Sequence, residues 1–204
     1  MTFQEKISSY LSDHYPGFSV KSKADSKFMS VLGWILGLVG IDFDQFTTTI
    51  GRTVYGENIS GATLAHEGIH VIDDARQPLR FKLGYLFPQV LALGALGAFW
   101  FLPCLAFLLA LLPWPAYWRV KAERRGYMMS SVCNTLVFGE SYVRSPTYQA
   151  WLLTQFCGPN YFFMSWNKSH MGELLKADTE RAILIARGEV SDPDYDWAVK
   201  AFSA

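Results

Sequence analysis

Residues 83 to 118 form a run of 36 residues without a single Asp, Glu, Lys or Arg. This run constrains the fold more than any other feature, because a chain of 204 residues has too little interior to hide that much apolar surface. Pro88, Pro103, Pro113 and Pro115 divide it into an arm of nineteen residues (83–101) and a second of eleven (103–113). A membrane-crossing helix needs about 20 apolar residues, so the first arm is just long enough and the second is too short. Arg76, Arg80 and Lys82 precede the run, and Arg119, Lys121, Arg124 and Arg125 follow it. Basic residues at both ends put both ends on one side of a bilayer, the cytoplasmic side. The expectation is an apolar helical hairpin over 83–118 that dips into a membrane and returns, with Gly94, Gly97 and Ala98 letting its arms pack closely. The alternative is a hairpin buried within the fold or hidden in an oligomer.

The chemistry is concentrated just upstream, in His66-Glu67-Gly68-Ile69-His70. On a helix, His66 and His70 stand one turn apart on the same face. Two imidazoles at that spacing can grip one Zn²⁺, with Glu67 beside them in reach of a water that the metal acidifies. Composition alone would produce such a motif about 0.003 times in a chain like this, which argues against accident. The surrounding residues suit a helix: Ser60 or Thr63 can cap it, and Ala62, Leu64, Ala65, Ile69 and Ile72 form its apolar side.

Three protein ligands and an open position make a catalytic zinc site, so a third ligand is needed. The position six residues after His70 is Arg76, which excludes a third histidine there. Asp73 and Asp74 are too close to His70 along the same helix to close a tetrahedron, and suit an orienting role or a solvated face. Glu123 lies on a separate expected helix and is the preferred third ligand, with Glu140 and His170 as reserves. His14 reads as structural or exposed. Tyr127, Tyr142, Tyr161 and His170 are candidates for a neutral donor that steadies an oxyanion.

The remaining chain reads as mainly helical with a small β element. Residues 1–18 give a short polar helix ending near Tyr15-Pro16-Gly17, with no secretory signal pattern. Residues 28–41 give a buried or interfacial apolar helix ending at Gly40. Residues 46–55 are dense in β-branched side chains and predict a strand or hairpin arm, followed by a turn over 56–61. A charged helix resumes at 118–127, and further helices are expected over 145–156, 169–187 and 194–202. The break after the first of these falls at Cys157-Gly-Pro-Asn160. With no internal repeat or linker, a single domain over 1–204 is expected. Cys104, Cys133 and Cys157 have no CxxC spacing and read as reduced thiols. Formal charge is zero and no long basic run occurs, so nucleic acid is not an expected partner.

HEGIH followed by a glutamate on another helix resembles the gluzincin-type zinc metallopeptidases. The order HExxH, apolar hairpin, glutamate-bearing helix also resembles the membrane-bound zinc proteases of the prenyl-protein and heat-shock type, over roughly residues 60 to 127. After Glu123 this chain has Arg-Arg-Gly-Tyr where that group has an Ala-Asp ending, and it has no long apolar helix before the motif. Thr-Thr-Ile-Gly-Arg-Thr-Val-Tyr before HEGIH loosely resembles small phage-encoded HExxH proteins. The resemblance implies a zincin-like domain in which His66, His70 and Glu123 hold Zn²⁺ and Glu67 is the general base. It implies hydrolysis of peptide bonds in a peptide or protein substrate. The competing expectation is a structural or membrane-active protein whose hairpin is the working part and whose metal site is stabilising.

Overall fold

The computed structural model describes residues 1–203 apart from 39–41, 113 and 159–162. The helix end expected at Gly40, the arm end at Pro113, the Pro159-Asn160 part of the break and the donor candidate Tyr161 lie outside the described residues. The described chain is mainly helical with one small sheet. In order it forms α1 (Phe3–His14), β1 (Ser19–Lys21), α2 (Lys27–Leu38), β2 (Thr48–Ile50), β3 (Thr53–Tyr55), α3 (Gly61–Arg76) and α4 (Pro78–Leu86). After the apolar run come α5 (Tyr117–Phe138), α6 (Glu140–Val143), α7 (Pro146–Cys157), α8 (Lys168–Ala186) and α9 (Asp196–Ser203).

Helix α3 is the centre of the molecule. Ser60 caps it by accepting from the Thr63 amide at 3.1 Å, and it stops at Gln77 because Pro78 disfavours a helical residue before it. Every residue from Leu64 to Ile72 is buried. No amphipathic surface helix behaves this way; α3 is packed by α1, α4, α5 and the sheet, with Trp197 of α9 over Gly68. Its apolar members Leu64, Ile69, Val71 and Ile72 share a core with Ile7 and Leu11 of α1, Met129 and Val132 of α5, and Trp197 of α9. Each such side chain contributes about 1.5–3 kcal/mol by leaving water.

The expected charged helix at 118–127 is only the first half of α5, which continues to Phe138. The second half buries Met128, Met129, Val132 and Cys133, and Gly139 with its φ of 83° ends it. Helix α5 thus borders two cores: the α3 core on one side and, on the other, a cluster of Tyr127, Tyr148, Leu152, Phe156 and Leu175 built with α7 and α8.

The sheet has the order β1–β3–β2, with β2 antiparallel and β1 parallel to β3. The β2–β3 hairpin, with Thr49 opposite Val54, is the strand element expected within 46–55. β1 is an addition from a segment with little strand signal.

The apolar run is a hairpin, but its arms are not α-helices. Pro88 supplies no amide and pushes Phe87 into extended geometry, so α4 ends at Leu86 and the arms continue as 3₁₀ segments over Gln89–Phe99 and Leu102–Leu111. The arms do approach closely at the glycines: a Cβ on Gly94 would lie 2.7 Å from the Phe107 ring, and one on Gly97 would lie 3.0 Å from Sγ of Cys104. No residue of either 3₁₀ segment is buried, and Phe99 and Trp100 are 87% and 88% exposed. Among the described residues no single helix is long and apolar enough to cross a membrane; α4 with Gln89–Phe99 meets that length only as a pair bent by 81°. Helix α2 also leaves Phe28, Val31 and Trp34 exposed and buries Met29, so it is one-sided rather than buried.

Candidate metal centre

His66, Glu67 and His70 come from the middle of α3, and Glu123 from α5, which crosses beside it. All four are buried. The Nε2 atoms of His66 and His70 are 3.2 Å apart. Oε2 of Glu123 lies 3.3 Å from Nε2 of His66, and its Oε1 lies 3.6 Å from Nε2 of His70. A tetrahedral zinc with bonds of 2.0–2.2 Å spaces its ligand atoms about 3.3–3.6 Å apart; the two imidazole nitrogens stand near that spacing, and the Glu123 carboxylate faces them with a different oxygen toward each. Oε2 of Glu123 is buried with no hydrogen bond aimed at it. Two imidazoles, one carboxylate and an orphaned oxygen fit a metal ion, and the group could hold one.

The electrostatics agree. Burial works to raise the Glu123 carboxyl, but the polar contact with His66, the charges of both imidazoles and the Tyr85 hydroxyl outweigh it and hold it down at about 2. Burial likewise opposes charge on His66, yet its polar contact with Glu123 and the charges of Glu123 and Glu67 raise its pKa above the ordinary histidine value. The site favours a positive charge between its ligands, which is what a cation supplies.

Neighbouring side chains pack against each member of the group. Tyr127 packs edge-on against His66 with ring centroids 4.6 Å apart, and Phe81 and Tyr85 of α4 face His70. The Tyr85 hydroxyl donates to Oε1 of Glu123. Thr49 of β2 donates from Oγ1 to Oε2 of Glu67 at 2.6 Å. Gly126 lies directly under His66: a Cβ there would meet Nε2 at 2.6 Å.

Other expected residues are elsewhere. Asp73 accepts from both Nε and Nη2 of Arg125, at 3.1 and 3.0 Å, and orients no histidine. Asp74 faces Lys82 at 3.4 Å. Glu140 is ion-paired with Arg144 and Arg187, and His170 sits exposed in the first turn of α8, its amide donating to Asn167. Neither joins the metal group. His14 is exposed and stacks on Tyr10. Tyr142 packs on Phe138 and Tyr148, away from the ligands, while Tyr127 touches His66 with its ring. The three cysteines are free thiols, and burial pushes Cys133 up to about 12.

Thr49, Tyr85 and Gly126 were not expected from the sequence. Thr49 lies in the stretch read as a strand beside the motif helix, and Gly126 follows Glu123 by three positions; those were the only local signals. Comparison of the chain with protein-family models, curated proteins and solved structures gives no match.

Proposed function

We propose that the chain is a zinc-dependent metallopeptidase of the HExxH type, associated with a membrane through its apolar hairpin. One observation carries this reading: His66, His70 and Glu123 bring their ligand atoms within 4.8 Å of one another, while Glu67, next to His66 on α3, is braced by Thr49. Among the described residues no fourth His, Cys, Asp or Glu joins the group, which supports an open coordination position rather than a closed structural site. In this reading residues 1–204 form one zincin-like domain with 83–118 as an insertion, acting on a peptide or protein substrate from the cytoplasmic side.

A zinc ion bound there would lower the pKa of a water to about 7 and polarise the scissile carbonyl. The chain's own contribution begins with Glu67. With Oε2 engaged by Thr49, Oε1 takes the proton from the water and passes it to the leaving amine. Glu123, ionised throughout the working pH range, contributes a full negative charge as a ligand. Tyr85 and Gly126 fix the orientation of Glu123 and His66, and burial excludes bulk water.

The test is elemental analysis of detergent-purified wild type, His70→Ala, Glu123→Ala and Glu67→Gln, alongside hydrolysis of a quenched-peptide library. The expected result is about one zinc per chain in wild type and Glu67→Gln, loss of zinc in the other two, and hydrolysis only in wild type. Correctly folded wild type that takes up no supplied zinc would sink the reading. The exposed hairpin tip favours a second reading, a membrane-active protein with a stabilising metal site. Zinc in wild type with no hydrolysis, and no change in membrane activity in Glu67→Gln, would favour it.

A further inference from the structure

We propose that a pocket at the foot of the hairpin binds the phosphate of an anionic membrane lipid, with Arg80 and Lys121 as its anchoring cations. The proposal rests on the membrane reading of residues 83–118 and is independent of the metal chemistry.

The pocket has a volume of about 340 Å³ and lies between the end of α3, α4 and the first turns of α5. Four cations line it, Arg76, Arg80, Lys121 and Arg125, against one carboxylate, Asp73. Two of the four are committed. Arg125 bonds to Asp73 and, at 2.9 Å, to Asp194, and Arg76 bonds to Asp194 at 2.6 Å. The other two have no carboxylate partner among the described residues. Arg80 meets only the Gln77 side-chain oxygen at 3.2 Å and the face of Trp118 at 5.7 Å, and Lys121 makes no ion pair. A guanidinium fork and an ammonium point charge converging on one cavity match a phosphodiester, which brings a single charge and several acceptor oxygens.

Its place in the fold selects the lipid source. A Cβ on Gly84 would touch Cβ of Trp118 at 3.4 Å, so the chain entering the hairpin and the chain leaving it pass each other at the pocket wall. The pocket therefore sits where the charged body meets the apolar projection. With Leu93, Leu96, Phe99 and Trp100 in the acyl region, this level is the headgroup layer, where Trp and Tyr side chains prefer to lie. None of His66, Glu67, His70 or Glu123 lines the cavity; Phe81 and Tyr85, which do, form the wall between it and His70. The structure also narrows the flanking-charge argument. Of the seven basic residues around the run, Arg76, Lys82, Arg124 and Arg125 are paired with carboxylates, and Arg119 is buried and bonded to the Tyr85 carbonyl and Gln89. Arg80 and Lys121 are the two left to meet a headgroup.

The test is vesicle co-sedimentation of the full chain with phosphatidylcholine alone and with phosphatidylcholine containing phosphatidylglycerol. Wild type is compared with Arg80→Gln/Lys121→Gln and with Lys168→Gln/Lys176→Gln, which removes the same charge from exposed positions on α8. Circular dichroism checks that each variant folds. The expected result is tighter binding of wild type to the anionic vesicles, a drop of about 30-fold in the pocket variant on those vesicles only, and a much smaller drop in the α8 variant. Equal losses in the two variants would reduce the effect to net charge and overturn the pocket. Equal wild-type binding to both vesicle types would overturn the pocket and leave the hairpin reading standing; no binding to either would overturn both. Inorganic phosphate that raises the melting temperature of wild type but not of the pocket variant, with no preference for anionic vesicles, would assign the site to free phosphate and overturn the lipid.

Discussion

A Cβ on Gly126 would lie 2.6 Å from Nε2 of His66, so the bare backbone of α5 at this point is what admits the imidazole. The same helix presents Glu123 one turn earlier, and the carboxylate and the glycine act as a pair: one faces the ring at 3.3 Å, the other makes room for it. Gly126→Ala tests this against helix propensity. In a helix interior alanine gains about 1 kcal/mol over glycine, which alone would raise stability. The ring cannot retreat freely, because Glu123, His70 and Tyr127 hold it. Overpacking at about 1–3 kcal/mol therefore prevails. The expected outcome is a melting temperature no higher than wild type and a zinc Kd at least about 10-fold weaker in a chelator competition. A more stable variant with unchanged zinc affinity would refute the pairing.

Thr49 links the small sheet to the chemistry. Its hydroxyl donates to Glu67 and not to His66, His70 or Glu123, so under the proposed function its loss separates base orientation from metal binding. Thr49→Val keeps the shape and the strand preference of the side chain. Zinc content should match wild type, while hydrolysis of the peptide library falls about 10–100-fold through kcat. A parallel loss of zinc would mean that Thr49 shapes the whole site instead.

The helix that carries His66 and His70, and the second helix that carries Glu123, were legible in the sequence because their signals are local. HExxH spacing lies within one helix turn, and the charged pattern around Glu123 marks a second helix. The contacts that complete the site depend on how distant elements register. Thr49 is 18 residues from Glu67 and Tyr85 is 38 from Glu123, and no periodicity carries such a pairing. The length of α5 was missed because its second half, with 128–133 buried and Val137 and Phe138 exposed, shows neither a polar face nor a clean apolar stripe. The hairpin was legible as a reversal, since prolines and small residues specify where arms part and meet. Its 3₁₀ geometry was not, because composition does not separate one helical form from another. β1 escaped for the simplest reason: three residues are too few to show alternation.

Asp194 holds the base of α9 to α3 and α5 through Arg76 and Arg125. The hydrogen bond from Arg76, then that from Arg125 and both positive charges, lower its pKa below 3.8 against a smaller opposing effect of burial. A carboxyl whose folded value is depressed contributes stability above its unfolded value, and that contribution is lost as pH falls through the folded value. Asp194→Asn should therefore cost about 1–2 kcal/mol in urea unfolding at pH 7. The gap from wild type should close below pH ~4 as the wild-type carboxyl protonates. Asp73 behaves oppositely, since burial raises it despite Arg125, but it is present in both proteins and mostly cancels in the difference. A gap constant down to acid pH would show that packing, not charge, ties α9 in place.

Tyr85 connects the hairpin to the metal centre. It lies in the last turn of α4, its carbonyl accepts from Nε of Arg119 at 2.9 Å, and its hydroxyl reaches Oε1 of Glu123. Oε2 has no hydrogen bond and faces Nε2 of His66 at 3.3 Å, while Oε1, held by Tyr85, lies 3.6 Å from Nε2 of His70. Tyr85→Phe keeps the ring against His70 and removes only the donor. If the hydroxyl orients Glu123, zinc affinity should weaken about 10-fold while stability falls by about 1 kcal/mol. If the hydroxyl instead competes with the metal for the carboxylate, affinity should rise in the variant. The two outcomes differ in sign, so one chelator titration of wild type and Tyr85→Phe decides whether the foot of the hairpin supports the metal site or restrains it.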